Sequence, residues 1–339
     1  MKAAIYKKYG GPYVVSVQKV GKPEPSDKEI LIKISASTVN RTDTGVRSAE
    51  YFVSRFFYGI FRPKHQILGC EFAGNVEKIG IKVTQFSVGD EVFGFNENTF
   101  GGHAEYLKIS QDAAVSIIPK NLSVVKSAAI LEGAHYALNI IRAAKVRSGT
   151  EVLVYGATGA IGSAAVQLLK AKGAVVTAAC DTKNVQLVKD LGANAVVDYQ
   201  KENLFDISTR FNFVFDTVSK INFSKSKALL KEDGIYISTE PGKNWENVFL
   251  AMKTFFLGKK RVLFPIPNID QKTVIYLKDL VEQDLFSPVI DRYFYLDQLV
   301  DAHTYVDLGM ITGNVTIKIN ASIRSHKNVF KKKMEILQR

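Results

Sequence analysis

The chain has 339 residues, 46% hydrophobic and 23% charged, with a formal net charge of +12 and two cysteines. This is ordinary globular composition, long enough for about two domains of roughly 100–200 residues. It excludes a disulfide framework, a four-thiolate zinc lobe and, with no apolar run near the roughly 20 residues required, a membrane-spanning helix. The start, Met1 to Lys8, has no apolar leader, so a cytoplasmic protein with no membrane partner is expected. The positive charge fits a soluble protein with a basic tail (Arg324, Lys327, Lys331, Lys332, Lys333, Arg339) or an anionic partner, either nucleic acid or a phosphorylated cofactor.

In chain order, residues 1–110 hold short β-like runs broken by Gly and Pro. "EILIKISASTV" alternates and is β-branched, "EFAGNVEKIG" continues in that style, "VGDEVFGF" is a turn and strand, and "GGHAEYLKI" is another strand. Strands at this spacing predict a small, partly open barrel. After residue 122 the pattern changes. "SVVKSAAILEGAHYALNIIRAA" has helical spacing, and "TEVLVYG", "AVVTAAC", "ANAVVDY", "FNFVFDTV" and "DGIYIST" are strands separated by helical segments. That alternation predicts a doubly wound parallel sheet. Near the end, "TVIYLKDLVEQDL" and "YLDQLVDAHTYVDLGM" read as helices and "GNVTIKIN" as a strand. The expected α/β organisation is a barrel-like domain from 1–122 and 266–339, with a nucleotide-binding domain over 123–265 inserted in it.

The most informative stretch is "VLVYGATGAIGSAAVQLLK". Gly156, Gly159 and Gly162 fall on a strand-to-helix turn, with Ala157 at the first position of the G-x-G-x-x-G pattern. Backbone N–H groups and the positive end of a helix can there meet a dinucleotide pyrophosphate, and the missing side chains let it approach. The turn Gly156, Ala157, Thr158, Gly159, Ala160, Ile161, Gly162 is therefore the predicted cofactor cradle, with Thr217 and Val218 at the end of the fourth strand beside it. An acidic residue about 20 positions on takes the ribose of NAD, and Asp181 lies 19 after Gly162. Lys183 and Tyr199 argue the other way, since a lysine and a phenol suit a 2′-phosphate. NADPH is favoured on that ground, with NADH left open.

The motifs taken together resemble a medium-chain dehydrogenase/reductase. They include "VNRTD" (39–43), "LGCEFAG" (68–74), "VGDEVFGF" (88–95), "GGHAEYL" (101–107), "GATGAIGSAAVQLLK" (156–170), "FDTV" (215–218) and "GNVTIKI" (313–319), in family order nearly end to end. The resemblance implies a GroES-like catalytic domain made from both chain ends and a Rossmann domain between them. It also implies a homodimer or homotetramer built across the Rossmann sheet edge, and Asn314 near the cofactor. Zinc-dependent members carry a cysteine where this chain has Asn40 and a histidine where it has Cys70. Their third ligand would fall near residue 130, in "AAILEGA", which reads as apolar. A catalytic zinc needs three protein ligands. A site assembled from Cys70, Glu71 and His103 or His135 is conceivable, but no spacing requires it, so no metal is expected. Cys70 should lie buried at or under the nicotinamide pocket.

What the resemblance then implies is zinc-independent hydride transfer from NADPH to a quinone or to the C=C of an α,β-unsaturated carbonyl, a small apolar electrophile. Asn40 would polarise the substrate oxygen, or else cap a strand end. Thr42 would relay a proton, or else bond to backbone, and Tyr58 and Tyr51 are other candidate acids. Arg41 would meet the pyrophosphate unless it is a plain surface arginine, and Asp43 would orient the turn. The six aromatics of "YFVSRFFYGIF" (51–61) would be core or line the cleft. Two other readings stand beside this one: an alcohol dehydrogenase with atypical or no zinc, and an RNA-binding or crystallin-like protein. No RNA motif accompanies the basic tail, which disfavours nucleic acid.

Overall fold

Two sheets of different character divide the chain. In this computed structural model the described residues are 1–319 except 51, 53, 243 and 244, so Tyr51 and the basic tail lie outside them. Strands β1 (Lys2–Tyr6) and β2 (Val15–Lys19) form an antiparallel pair. Then come β3 (Glu29–Val39), β4 (Glu71–Ile79), β5 (Glu91–Phe95), β6 (Tyr106–Ser110) and β7 (Val115–Ile117). The second sheet holds β8 (Glu151–Tyr155), β9 (Val175–Cys180), β10 (Ala195–Asp198), β11 (Phe211–Asp216), β12 (Leu230–Ser238) and β13 (Arg261–Leu263). The chain then returns to the first through β14 (Ile290–Tyr295) and β15 (Asn314–Lys318).

The first sheet runs β14-β15-β3-β4-β5-β7, with β6 also paired to β3. β15 lies antiparallel to β3, Val315 opposite Val39, so both chain ends build one unit. The second sheet is wholly parallel in the order β10-β9-β8-β11-β12-β13. Its order reverses between β8 and β11, which opens a crevice at their carboxyl ends, the place where open α/β sheets bind ligands. β8 reads as an unbroken apolar run because both its faces are covered. Val152, Leu153 and Val154 are fully buried, each contributing on the order of 2 kcal/mol.

Two departures from the sequence reading bear on the site. The segment read as one helix over 123–144 is two, Val124–Ser127 and Leu131–Ala143. The break lets Glu71 Oε1 cap the second helix, accepting from the N–H groups of Leu131 (2.7 Å) and Glu132 (2.8 Å). The helix Glu246–Leu257 was not foreseen; it leaves Phe249, Met252, Phe255 and Phe256 exposed beside the edge strand β13. Several contacts stitch the two units together, one of them beside the glycine turn. Gly313 N–H donates to Thr158 O at 2.6 Å, and Gly159 and Gly313 form a parallel β-bridge.

Candidate active site

A cleft of about 810 Å³ opens where β8 and β11 face the first domain. On the parallel-sheet side it is lined by Tyr155, Gly156, Thr158, Gly159, Ala160, Ile161, Gly162, Tyr199, Thr217 and Val218. Gly156 holds φ +78°, and a Cβ there would meet Val218 Cγ1 at 2.7 Å, so glycine alone keeps this turn open. A Cβ at Gly162 would sit 2.0 Å from Gly156 O, which lets the helix Ala160–Ala171 start directly under the turn. At Gly159 the nearest atom stands 3.9 Å off. The helix N-terminus therefore meets the cleft with no side chain in the way, and a pyrophosphate fits this cradle.

Not every expected cofactor residue reaches the cleft. Ala157 is fully buried and packs beneath the turn. Asn314 is buried, its amide donating to Val289 O at 3.0 Å, and it is not among the lining residues. Asp181 and Lys183 lie beyond the lining too. Asp181 accepts from Asn184 Nδ2 at 2.6 Å and sits 3.7 Å from an exposed Lys183 Nζ. Its carboxylate is thus engaged with protein partners. Tyr199 lies against Tyr155 with ring centroids 6.0 Å apart.

Across the cleft stand Asn40, Arg41, Thr42, Glu132 and Tyr136. Asn40 is the N-cap of the helix Arg41–Ser48, in a capping box with Asp43. Asp43 Oδ2 accepts from Asn40 N–H (3.0 Å) and Oδ1 from Gly69 N–H (2.8 Å), orienting the turn. The Asn40 amide does not face an open acceptor position as expected. Its Nδ2 is shared among Thr38 Oγ1 (2.7 Å), Glu71 Oε2 (2.8 Å) and Glu132 Oε2 (3.2 Å). Thr42 Oγ1 lies 2.6 Å from Glu132 Oε1 in a hydrogen bond. Arg41 is exposed and paired with Glu50 at 2.7 Å.

The stretch near residue 130 is not apolar at the site, since Glu132 projects into the network. Sequence reasoning missed it because a glutamate in a helix's first turn is the commonest of signals. A Cβ on the next residue, Gly133, would meet Ala160 O at 2.3 Å, and that close approach sets Glu132 beside the glycine turn. Burial raises the Glu71 carboxyl to about 7 against four hydrogen-bond donors that lower it. Burial, then the nearby Asp43 and Glu71 carboxyls, holds the Glu132 acid well above the usual range.

Tyr58 does not reach the cleft; it packs against Phe100 with centroids 5.5 Å apart. Nor do its neighbouring aromatics line the site or the core. Phe52, Phe56, Phe57 and Phe61 are exposed, and of the described residues in 52–61 only Ser54 borders the cleft. Cys70 is fully buried, 3.9 Å from Asp43 Oδ1 and away from the lining, with burial pushing its thiol well up. Among the described residues no group of three or more His, Cys, Asp or Glu is arranged to hold a metal ion. Among them, too, no helix is long and apolar enough to cross a membrane.

A glycine turn at the reversal point of a parallel sheet, facing a buried polar network across the cleft, is the arrangement of a nucleotide-dependent enzyme. Residues 26–120 match the alcohol dehydrogenase GroES-like domain and residues 191–317 the family described as zinc-binding dehydrogenase. The latter stretch contains none of Asn40, Cys70 and Glu132. The chain is 31% identical over 334 residues to the 2-methylene-furan-3-one reductase of Solanum lycopersicum, covering 94% of this chain and 79% of that one. It is 27% identical over 334 residues to an NADPH-dependent alkenal/one oxidoreductase of Arabidopsis thaliana, with the same coverage of 94% and 79%. The solved quinone oxidoreductase from Coxiella burnetii matches with a TM-score of 0.83 at 28% identity, covering 94% and 99% of the two chains. The chain belongs to the medium-chain dehydrogenase/reductase superfamily, in its quinone oxidoreductase-like branch, and is an NAD(P)H-dependent oxidoreductase.

Proposed function

We propose that the protein is a zinc-independent, NADPH-dependent reductase of quinones or of the C=C of α,β-unsaturated carbonyls. The observation that carries this reading is the donor set across from the glycine turn. Asn40 presents an amide nitrogen that donates hydrogen bonds, and Cys70 is a buried thiol held in its protonated form. Both oxygens of Glu71 are taken by four donors. These groups satisfy one another and do not fit a catalytic zinc, which needs three ligands and an open position. A polar cleft wall without a Lewis acid suits acceptors whose electrophilic carbon is already conjugated to an oxygen.

When bound, the nicotinamide supplies hydride. The chain supplies position and polarity. The turn from Gly156 to Gly162 and the helix behind it hold the pyrophosphate. Thr217 and Val218 flank it. Arg41 is free to turn toward phosphate because its exposed pair with Glu50 is weak in water. Tyr199 lines the cleft and supports the 2′-phosphate, the exposed Lys183 is free to turn from Asp181 toward it, and the engagement of Asp181 by Asn184 weakens the case for NADH. The reading includes self-association through the outer edge of β13 and the exposed Phe249, Met252, Phe255 and Phe256 beside it. Light scattering of the purified protein tests that part.

The deciding experiment is NADPH and NADH oxidation against a panel of quinones, 2-alkenals and enoyl thioesters, with metal content measured on the same sample. Turnover of a quinone or enone, faster with NADPH and unaffected by chelator, is expected. No turnover on any acceptor would sink the proposal.

A further inference from the structure

We propose that Glu132 is the proton source of the reaction, delivering its proton to the substrate oxygen through the Thr42 hydroxyl. This rests on the reductase reading and goes beyond it by assigning a role to a residue no motif marks.

The geometry distinguishes two buried carboxyls that share one amide. Glu71 receives Leu131 N–H, Glu132 N–H, the Thr38 hydroxyl and Asn40 Nδ2, all within 2.8 Å. Glu132 receives only the longer branch of the same amide, at 3.2 Å, and the contact to Thr42 at 2.6 Å. A negative charge is stabilised by its donors, so it settles first on Glu71. A second charge one amide away is opposed by repulsion and burial. The surroundings reinforce this. Asp43 from the helix Arg41–Ser48, Glu71 from β4 and Glu97 from the loop after β5 all act to keep the proton on Glu132. Cys70 and Tyr136 remain protonated beside it, and His135 on the same helix stays neutral, its ring pushed down to about 4 by burial.

A protonated Glu132 needs an acceptor for its O–H, and Thr42 Oγ1 is the atom at hand. Once that oxygen accepts from Glu132 and from its other hydrogen-bond partner, the Tyr136 hydroxyl, the threonine's own proton points into the cleft. Thr42 is half-buried and lines the cleft; Glu132 is 4% exposed behind it. Hydride arriving at the electrophilic carbon sends the conjugated electron pair to the substrate oxygen. The Thr42 O–H bond breaks to protonate that oxygen, giving an enol; with a quinone, this enol then tautomerises in water, losing a ring C–H proton while the remaining carbonyl oxygen gains one, to give the hydroquinone. The Glu132 O–H bond breaks to restore the threonine hydroxyl. The resulting carboxylate keeps the Asn40 hydrogen bond and regains its proton from water after product leaves.

Glu132→Gln preserves the shape and removes the acid. Its kcat should fall about 100-fold, the size of a general-acid contribution, with NADPH affinity by fluorescence titration unchanged. Wild-type kcat/KM should decline as rising pH strips the proton from Glu132, and that limb should vanish in the variant. Above the Glu71 range of about 7, the infrared band of a protonated carboxyl should be present in the wild type and lost in Glu132→Gln, without any substrate. Thr42→Val should lose as much kcat and keep the band. If Glu132→Gln binds NADPH and retains wild-type kcat and pH profile, the proposal falls while the reductase reading stands. If Glu132→Gln does not fold, undiminished kcat in Thr42→Val overturns it instead. A wild type that turns over no acceptor removes the reductase reading and the relay with it.

Discussion

Replacing Gly162 with alanine separates the architecture of the turn from its chemistry. The added Cβ would stand 2.0 Å from Gly156 O and 2.8 Å from Ala157 Cα. Unstrained carbon contacts begin near about 3.5 Å, and the obstructing atoms are backbone, so turn and helix have to part by more than about 1 Å. Overpacking of this kind costs about 1–3 kcal/mol. Alanine recovers up to about 1 kcal/mol over glycine inside a helix, which leaves a net loss of up to about 2 kcal/mol. With about 2.1 cal/mol/K of unfolding entropy per residue, that is a fall in Tm of up to about 3 °C for a chain of 339 residues. NADPH affinity should drop about tenfold or more, since 1.4 kcal/mol suffices for that. Gly159→Ala is the control. Its Cβ meets nothing closer than 3.9 Å and its φ is −69°, so Tm should hold while the methyl obstructs the phosphate. Circular-dichroism melting and fluorescence titration read both variants. Equal Tm losses in the two, or wild-type affinity in Gly162→Ala, would refute the reasoning.

Lys183→Ala should raise the KM for NADPH about tenfold and leave that for NADH unchanged, because it removes an exposed cation that can turn from Asp181 to the 2′-phosphate; steady-state kinetics with both cofactors check this. Tyr58→Phe should leave kcat unaltered and stability within about 0.5 kcal/mol, since the ring packs on Phe100 outside the cleft. A pH-stability profile tests Glu71, whose folded-state carboxyl is raised from 4.5 to about 7 by burial. The folded state then binds this proton more tightly than the unfolded one. Its contribution is full below pH 4.5 and is lost as pH rises through about 7, on the order of 3 kcal/mol in all. Melting temperatures should fall across that window less steeply in Glu71→Gln than in the wild type, the remaining slope coming from Glu132, whose proton is held by the same burial.

The strands and the glycine turn were legible because their signals are local. Period-two alternation named β3, apolar runs named β8 and β9, and the spacing of Gly156, Gly159 and Gly162 sufficed for the cradle. The acid wall was legible only in part. Asn40 and Thr42 could be found through the family motif "VNRTD", but not what their polar atoms would face. That depends on Glu132, 92 residues from Asn40 and 90 from Thr42. Nothing local marks Glu132, since its role comes from the break at 128–130 and the close approach at Gly133. The aromatics of 51–61 misled for the converse reason. Composition suggested burial, but whether a ring is covered depends on packing from elsewhere, and here four of them are exposed.

The stitch from Gly313 to Thr158 has a mechanical consequence. It ties the phosphate end of the cleft to β15, the strand that completes the first sheet. Chain from the far end of the sequence thus closes against the glycine turn, so damage to β15 or to its pairing with β3 reaches the cofactor site as well as the first sheet.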